Sequence, residues 1–233
     1  MRIEQNLTNT NYNPRGTNPS WIVIHNTANG TSEEGTAYAN TVYFKNRFAN
    51  GAPEASAHYF IDDGDIIWQC VKDTDTAWHV GEASSRNGCT NYNSIGIEVC
   101  EPANGRFTDK EISTLTELVQ YLMDKYDIDY DHVTTHHLTT GKNCPWYYVF
   151  EERWDYLKDI ITGGMEVISN DDIKKIAQAV WEYIYHKSLP DEDKILGNDM
   201  DSNRYNVENM TYLEAKRAKD YAKRAVDILE GRD

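Results

Sequence analysis

Long apolar runs are missing from this chain of 233 residues. The run Trp21 to Ile24 is typical in length, far short of the roughly 20 residues that a membrane-spanning helix requires. Residues 1–20 are polar and rich in asparagine, without the apolar stretch of a secretory leader, so synthesis in a cytosol is expected. Basic residues are outnumbered: 23 Lys and Arg face 38 Asp and Glu, a formal net charge of −15. That balance excludes the electrostatic footprint of a nucleic-acid binder or of a protein held on an anionic membrane. Cysteines are few. Of the four, Cys70 and Cys100 sit in apolar runs and read as buried thiols, and disulfides are not expected in a reducing compartment. The remaining composition, 39% hydrophobic and 12% aromatic, suffices for a globular core. The length suits one main domain with a small second one.

Strand and helix signals alternate over the first 160 residues. Residues 21–28 (WIVIHNTA) form a β-branched run ending in small polar residues, which predicts a buried strand with His25 near its C-terminal end. A helix is expected over Glu33 to Arg47, with Ala37, Val42, Tyr43 and Phe44 as a loose apolar face. The runs 56–62 and 65–71 flank Asp63-Gly64, a hairpin signal. Residues 94–100 (SIGIEVC) predict another strand. Thr108 and Glu111 match a capping box for a helix to about Tyr126, facing the core with Ile112, Leu115, Leu118, Val119 and Leu122. Residues 132–136 suggest a strand end, and Pro145 suits the first turn of a helix running to about Ile161. The expected fold class is therefore α/β, a central mixed β-sheet flanked by helices.

Gly163-Gly164 breaks the alternation. The expected organisation is a main domain over 1–162, a linker over 163–168 and a small all-α C-terminal domain over 169–233. In the latter, Ala215, Ala218, Ala222, Ala225 and Leu229 repeat at heptad spacing, which predicts helix pairing and a homo-oligomer. Met165 falls just past the glycine pair, where an internal translation start would release the tail as a separate chain.

Three positions invite chemistry: His25 at one strand end, His136 at another, and Cys144 just before the expected helix. Imidazole and thiolate are ligand types that zinc prefers, and three protein ligands leave a fourth position for solvent, as catalytic sites do. A helix N-terminus at Cys144 would favour its thiolate. A lone strand histidine is usually a satisfied core residue, and a lone lysine or strand glutamate is usually solvated.

The local pattern goes further. The stretch His136-His137-Leu138-Thr139-Thr140-Gly141-Lys142-Asn143-Cys144-Pro145 follows WIVIHNTA, SAHYFID, AWHVG and SIGIEVCE in order. In this the sequence resembles zinc-dependent N-acetylmuramoyl-L-alanine amidases of the type-2 class, related in fold to peptidoglycan recognition proteins. Bacteriophage endolysins and prophage amidases of Gram-positive hosts are its nearest look-alikes, and the likeness covers roughly residues 1–160. It implies a Zn2+ cofactor on His25, His136 and Cys144, with catalytic Glu98 and Lys142. The implied substrate is peptidoglycan, cut between N-acetylmuramic acid and L-alanine of the stem peptide. Strand alternation, with the spacing to Cys144, selects His136 over His137. Trp78 and His79 are expected in a substrate wall, as are Asn26 and Thr27, with either His58 or Tyr59 lining the pocket. An endolysin would be made in the host cytosol and reach the wall through a holin, its tail binding wall or assembling copies. The competing reading is a peptidoglycan-binding protein of the same fold without catalysis, which characteristically lacks the third ligand.

Overall fold

A computed structural model describes residues 1–28, 36–46, 54–81 and 85–164. The chain separates into two units, Met1–Glu166 and Val167–Asp233, and every described residue belongs to the first. The expected helical tail, its alanine seam and Met165 lie outside the described residues.

Eight strands and four α-helices are described. The strands are β1 (Ile3–Gln5), β2 (Tyr12–Pro14), β3 (Trp21–Asn26), β4 (Tyr59–Ile61), β5 (Ile67–Gln69), β6 (Asp75–Ala77), β7 (Ser94–Val99) and β8 (Val133–Thr135). The helices are α1 (Ala37–Asn46), α2 (Asp109–Tyr126), α3 (His136–Thr140) and α4 (Glu151–Ile161). Six strands form one sheet in the order β1-β5-β4-β7-β3-β8, and β2 pairs with β6 in a separate ribbon. Within the large sheet only β4 and β5 run antiparallel, so the sheet is mixed, as expected.

The central pair β3 and β7 sets the geometry of everything functional. Its register places Ile22 beside Ile95, Ile24 beside Ile97, and His25 beside Glu98. Side chains alternate across a sheet, so the isoleucines share one face while Val23, His25, Gly96 and Glu98 share the other. The isoleucine face is closed by α2 and α4 through Leu115, Leu118, Leu122, Leu157 and Ile161. Helix α1 packs against the opposite side, near Phe60 and Cys70. It buries Ala37, Asn40 and Thr41 rather than the expected Val42 and Tyr43, which are exposed.

Helix α2 starts as its sequence dictates. Thr108 Oγ1 accepts the Glu111 N–H at 3.1 Å, and Glu111 Oε2 accepts the Thr108 N–H at 2.8 Å. Its buried face is the expected one. The hairpin also forms, with Tyr59 opposite Gln69 and Phe60 opposite Trp68. Its loop is wider than two residues, and Asp62 Oδ1 turns it by accepting the Gly64 N–H at 2.8 Å.

Residues 1–20, for which no element was expected, supply β1 and β2. One expectation fails here: Pro145 does not open a helix to Ile161. It is extended (ψ 124°) ahead of a single 3-10 turn over Trp146–Tyr148, and α4 begins afresh after Phe150.

The cap carboxylate carries a cost that depends on pH. Glu111 is fully buried, and its Oε1 has no hydrogen-bond partner. Burial pushes its pKa from 4.5 up to about 8. The folded protein therefore holds a proton there that the unfolded chain releases, and stability falls as pH rises from about 4.5 through 8. Glu111→Gln keeps the acceptor for Thr108 and removes that fall. It should raise stability at pH 8 by about 4 kcal/mol relative to pH 4.5. Thermal melts of both proteins across that range test it: equal differences at the two ends would refute the assignment.

Candidate active site

β3 ends with His25 directed away from the isoleucine core, beside Glu98 of β7. His136 arrives from β8 by a different route than expected. It does not end a strand but opens α3, whose N-cap Thr135 accepts the Leu138 N–H through Oγ1 at 3.1 Å. Alternation therefore does not separate the doubled histidines. Successive helical positions diverge by about 100°, and this sends His136 inward at 8% exposure. His137 is only partly buried, its Nδ1 3.1 Å from the Lys142 carbonyl. After α3 ends at left-handed Gly141, the chain doubles back, and the His137 N–H donates to the Cys144 carbonyl at 2.8 Å. That return brings Cys144 under His25.

His25, His136 and Cys144 come together. His25 Nδ1 lies 3.1 Å from His136 Nδ1 and 3.7 Å from Cys144 Sγ. All three donor atoms fall within 4.8 Å of one another. A tetrahedral zinc with ordinary bond lengths spaces two nitrogens by about 3.3 Å, and a nitrogen and a sulfur by about 3.6 Å. The donor set fits such an ion, and these three residues could hold a metal.

The electrostatics agree. Burial holds His25 well below its usual pKa, with His79 and His136 adding to the effect. Burial, then the Lys142 ammonium, brings His136 down to about 4. Both rings are thus neutral and keep a lone pair for a cation. Cys144 differs from expectation. It precedes no α-helix terminus, and burial pushes its thiol up to about 12, with the Glu98 carboxylate adding to the rise. A helix dipole does not activate this sulfur. A bound cation would have to draw off its proton.

The donors sit in a cleft of about 580 Å³ that also holds Glu98 and Lys142. Tyr43 and Phe44 of α1 face it, as does Trp78, whose Nε1 donates to Asn13 Oδ1 at 2.9 Å. Thr27 lines it too.

Several expected pocket residues do something else. Tyr59 pairs with Ile97 in the ladder, so it points to the isoleucine face, where its hydroxyl donates to Asp73 Oδ1 at 2.5 Å. His58 lies on the correct face but beneath the cleft, fully buried. Its Nδ1 accepts the Gly96 N–H at 3.0 Å, and its Nε2 lies 3.1 Å from the Asp75 carbonyl. Neither residue lines the pocket. Asn26 borders the cleft with both ends of its amide committed. Its Nδ2 donates to Glu101 Oε1 at 2.5 Å, and its Oδ1 accepts the Trp146 N–H at 3.2 Å. His79 reaches the wall, but His25 and Ser94 occupy its two ring nitrogens.

Sequence reasoning passed over Glu101. At 2% exposure, it accepts the Asn26 amide, the Ala28 N–H and the Thr27 hydroxyl, fastening the turn that follows His25. Ala28 is left-handed there (φ 59°). The available signal was a carboxylate directly after an apolar strand, at the same sheet end as His25.

Fold and site together define a mixed-sheet α/β protein with a candidate three-ligand metal centre beside a strand carboxylate. The chain belongs to the N-acetylmuramoyl-L-alanine amidase family, whose signature matches residues 15–147 and takes in all of these positions. It is 34% identical over 165 residues to the N-acetylmuramoyl-L-alanine amidase XlyA of Bacillus subtilis (strain 168), covering 69% of this chain and 52% of that one. It is 33% identical over 104 residues to the endolysin LysK of Staphylococcus phage K, covering 43% and 19%. Among solved structures, the catalytic domain of XlyA superposes with a TM-score of 0.56 at 32% identity, covering 69% of this chain and 99% of that one. PlyL gives a TM-score of 0.58 at 28% identity, covering 71% and 99%. The chain spans about half the length of the first curated relatives it matches. Among the described residues, no helix is long and apolar enough to cross a membrane.

Proposed function

We propose that this protein is a zinc-dependent peptidoglycan amidase. It hydrolyses the bond between the lactyl group of N-acetylmuramic acid and L-alanine of the stem peptide. The observation that carries the reading is the convergence of two neutral imidazoles and a thiol in a cleft that also holds Glu98 and Lys142. Family membership and the amidase and endolysin names of its relatives support the substrate class.

When bound by His25, His136 and Cys144, zinc supplies a Lewis acid for the scissile carbonyl and acidifies water. The other steps fall to side chains. Glu98 shares the face of His25, takes the proton of the attacking water, and hands it to the departing alanine nitrogen. The Lys142 ammonium offsets the negative charge that grows on the carbonyl oxygen. Tyr43, Phe44 and Trp78 give flat apolar walls for the sugar and the peptide stem.

The phage endolysins among its relatives support a setting at the bacterial wall. The enzyme would be made in a bacterial cytosol during phage infection, pass through a holin pore and cut the wall of a Gram-positive host. The tail beyond residue 164 would bind wall or pair copies through its alanine seam.

Digestion of purified peptidoglycan by the full chain, followed by mass spectrometry, tests the activity. Glycan strands with free lactyl groups and peptides with free N-terminal L-alanine are expected. Cleaved glycosidic bonds or cleaved cross-bridges would overturn it. Tight wall binding with no released peptide would leave only the non-catalytic reading, which Cys144 and Glu98 together disfavour.

A further inference from the structure

We propose that His79 is a positioning residue: supported by Ser94 and seated on Gly96, it fixes the tautomer of His25 so that Nδ1 offers its lone pair to the metal. The inference rests on the metal-binding reading above and concerns how the site is built, not which bond it cuts.

The argument follows protons along a chain of four groups. Ser94 Oγ lies 2.5 Å from the Thr90 carbonyl oxygen, which can only accept, so the hydroxyl proton is spent there. Ser94 Oγ is then left as an acceptor for His79 Nε2 at 3.0 Å. A neutral imidazole with its proton on Nε2 has a bare Nδ1. His79 Nδ1 is 3.0 Å from His25 Nε2, so His25 is the donor in that pair. Its own Nδ1 is therefore bare, and this is the atom that faces His136 Nδ1 and Cys144 Sγ. The polarity of one backbone carbonyl is thus passed through Ser94 and His79 to the metal-facing atom of His25. The opposite tautomer of His25 would leave two lone pairs facing each other across this 3.0 Å buried contact.

The backbone around His79 is equally determined. Asn91 Oδ1 accepts the N–H groups of His79, Val80 and Gly81 at 3.0, 2.8 and 3.0 Å. The imidazole lies against β7 where that strand has no side chain. A Cβ at position 96 would stand 2.6 Å from both Cγ and Nδ1 of His79. Gly96 has no unusual backbone conformation to justify it, so the ring above it is the reason for the glycine. His58 backs the same ring from below, centroids 5.7 Å apart.

The test begins with the unaltered full chain. Nitrogen-15 spectra of the imidazoles, recorded zinc-loaded and after chelation, should show His25 protonated at Nε2 in both states. A His25 proton on Nδ1 in the stripped protein overturns the proposal. Zinc affinity is then measured by chelator competition. His79→Leu and Gly96→Ala should each weaken zinc binding by about 10- to 100-fold, the range that supporting partners of metal ligands command. Ser94→Ala should weaken it in the same direction by less. His79→Asn, whose amide oxygen can replace Nδ1 as acceptor, should recover most of the loss. Unchanged affinity in both His79→Leu and Ser94→Ala overturns the proposal. Should His79→Leu fail to fold, Ser94→Ala and the spectra of the parent still decide. A parent that binds no zinc refutes the functional reading itself, whereas a zinc-binding parent with indifferent variants refutes only this inference.

Discussion

Cys144→Ser is expected to strip the protein of zinc and lower amidase turnover at least about 10³-fold, to background. The sulfur cannot be replaced from nearby, because the donor set among the described residues comprises only His25, His136 and Cys144. A serine oxygen is a harder and far less acidic ligand, and it would sit 6% exposed in a place where burial already opposes ionisation. Two imidazoles alone hold a divalent ion weakly. Because the thiol must lose its proton when the metal enters, zinc uptake by the parent should release about one proton at neutral pH, and affinity should weaken as pH falls. Metal analysis and peptide release measured on the same preparation check the prediction. Stoichiometric zinc together with parental turnover in Cys144→Ser would remove the sulfur from the site.

Glu98→Gln is expected to separate the two properties that Cys144→Ser joins. The side chain lies in the cleft, on the neighbouring strand to His25 and outside the donor set, so zinc content should stay at the parental level. Turnover should fall by about 10²- to 10⁴-fold, the usual contribution of a positioned proton carrier. Glutamine keeps the size and loses the basicity, so packing is not the variable. A Glu98→Gln protein that cuts at near-parental rate would take the proton transfer away from this residue. Loss of zinc in the same variant would make Glu98 part of the metal's support.

Those two expectations rest on positions that were legible in the sequence, and the reasons are physical. Strand β3 announces itself because five of its six residues must be buried, and no other element accepts Ile-Val-Ile so readily. Helix α2 is written twice, once in its 3-4 spacing and once in Thr108 and Glu111. Elements decided by partners were opaque. β1 and β2 have three residues each and exist because β5 and β6 lie alongside them. Pro145 looked like a helix start, but the Trp146 N–H is taken by Asn26, 120 residues away. Around the site, the convergence of His25, His136 and Cys144 was legible from chemistry and order, while the facing of their neighbours was not. Which of His58 and Tyr59 would turn toward the cleft was open in the sequence, because one residue of strand parity decides it, and neither lines the pocket. His79 could not be distinguished from a substrate contact without seeing both of its nitrogens taken.

The side-by-side pairing of His25 with Glu98 has an evolutionary corollary. Inserting or deleting a single residue between Ile95 and Glu98 would rotate the carboxylate into the oily layer and an isoleucine into the cleft, with both strands still hydrogen-bonded. Length variation in descendants of this chain should therefore collect in the connecting loops, while the stretch from Ser94 to Glu98 keeps its residue count even where its letters drift.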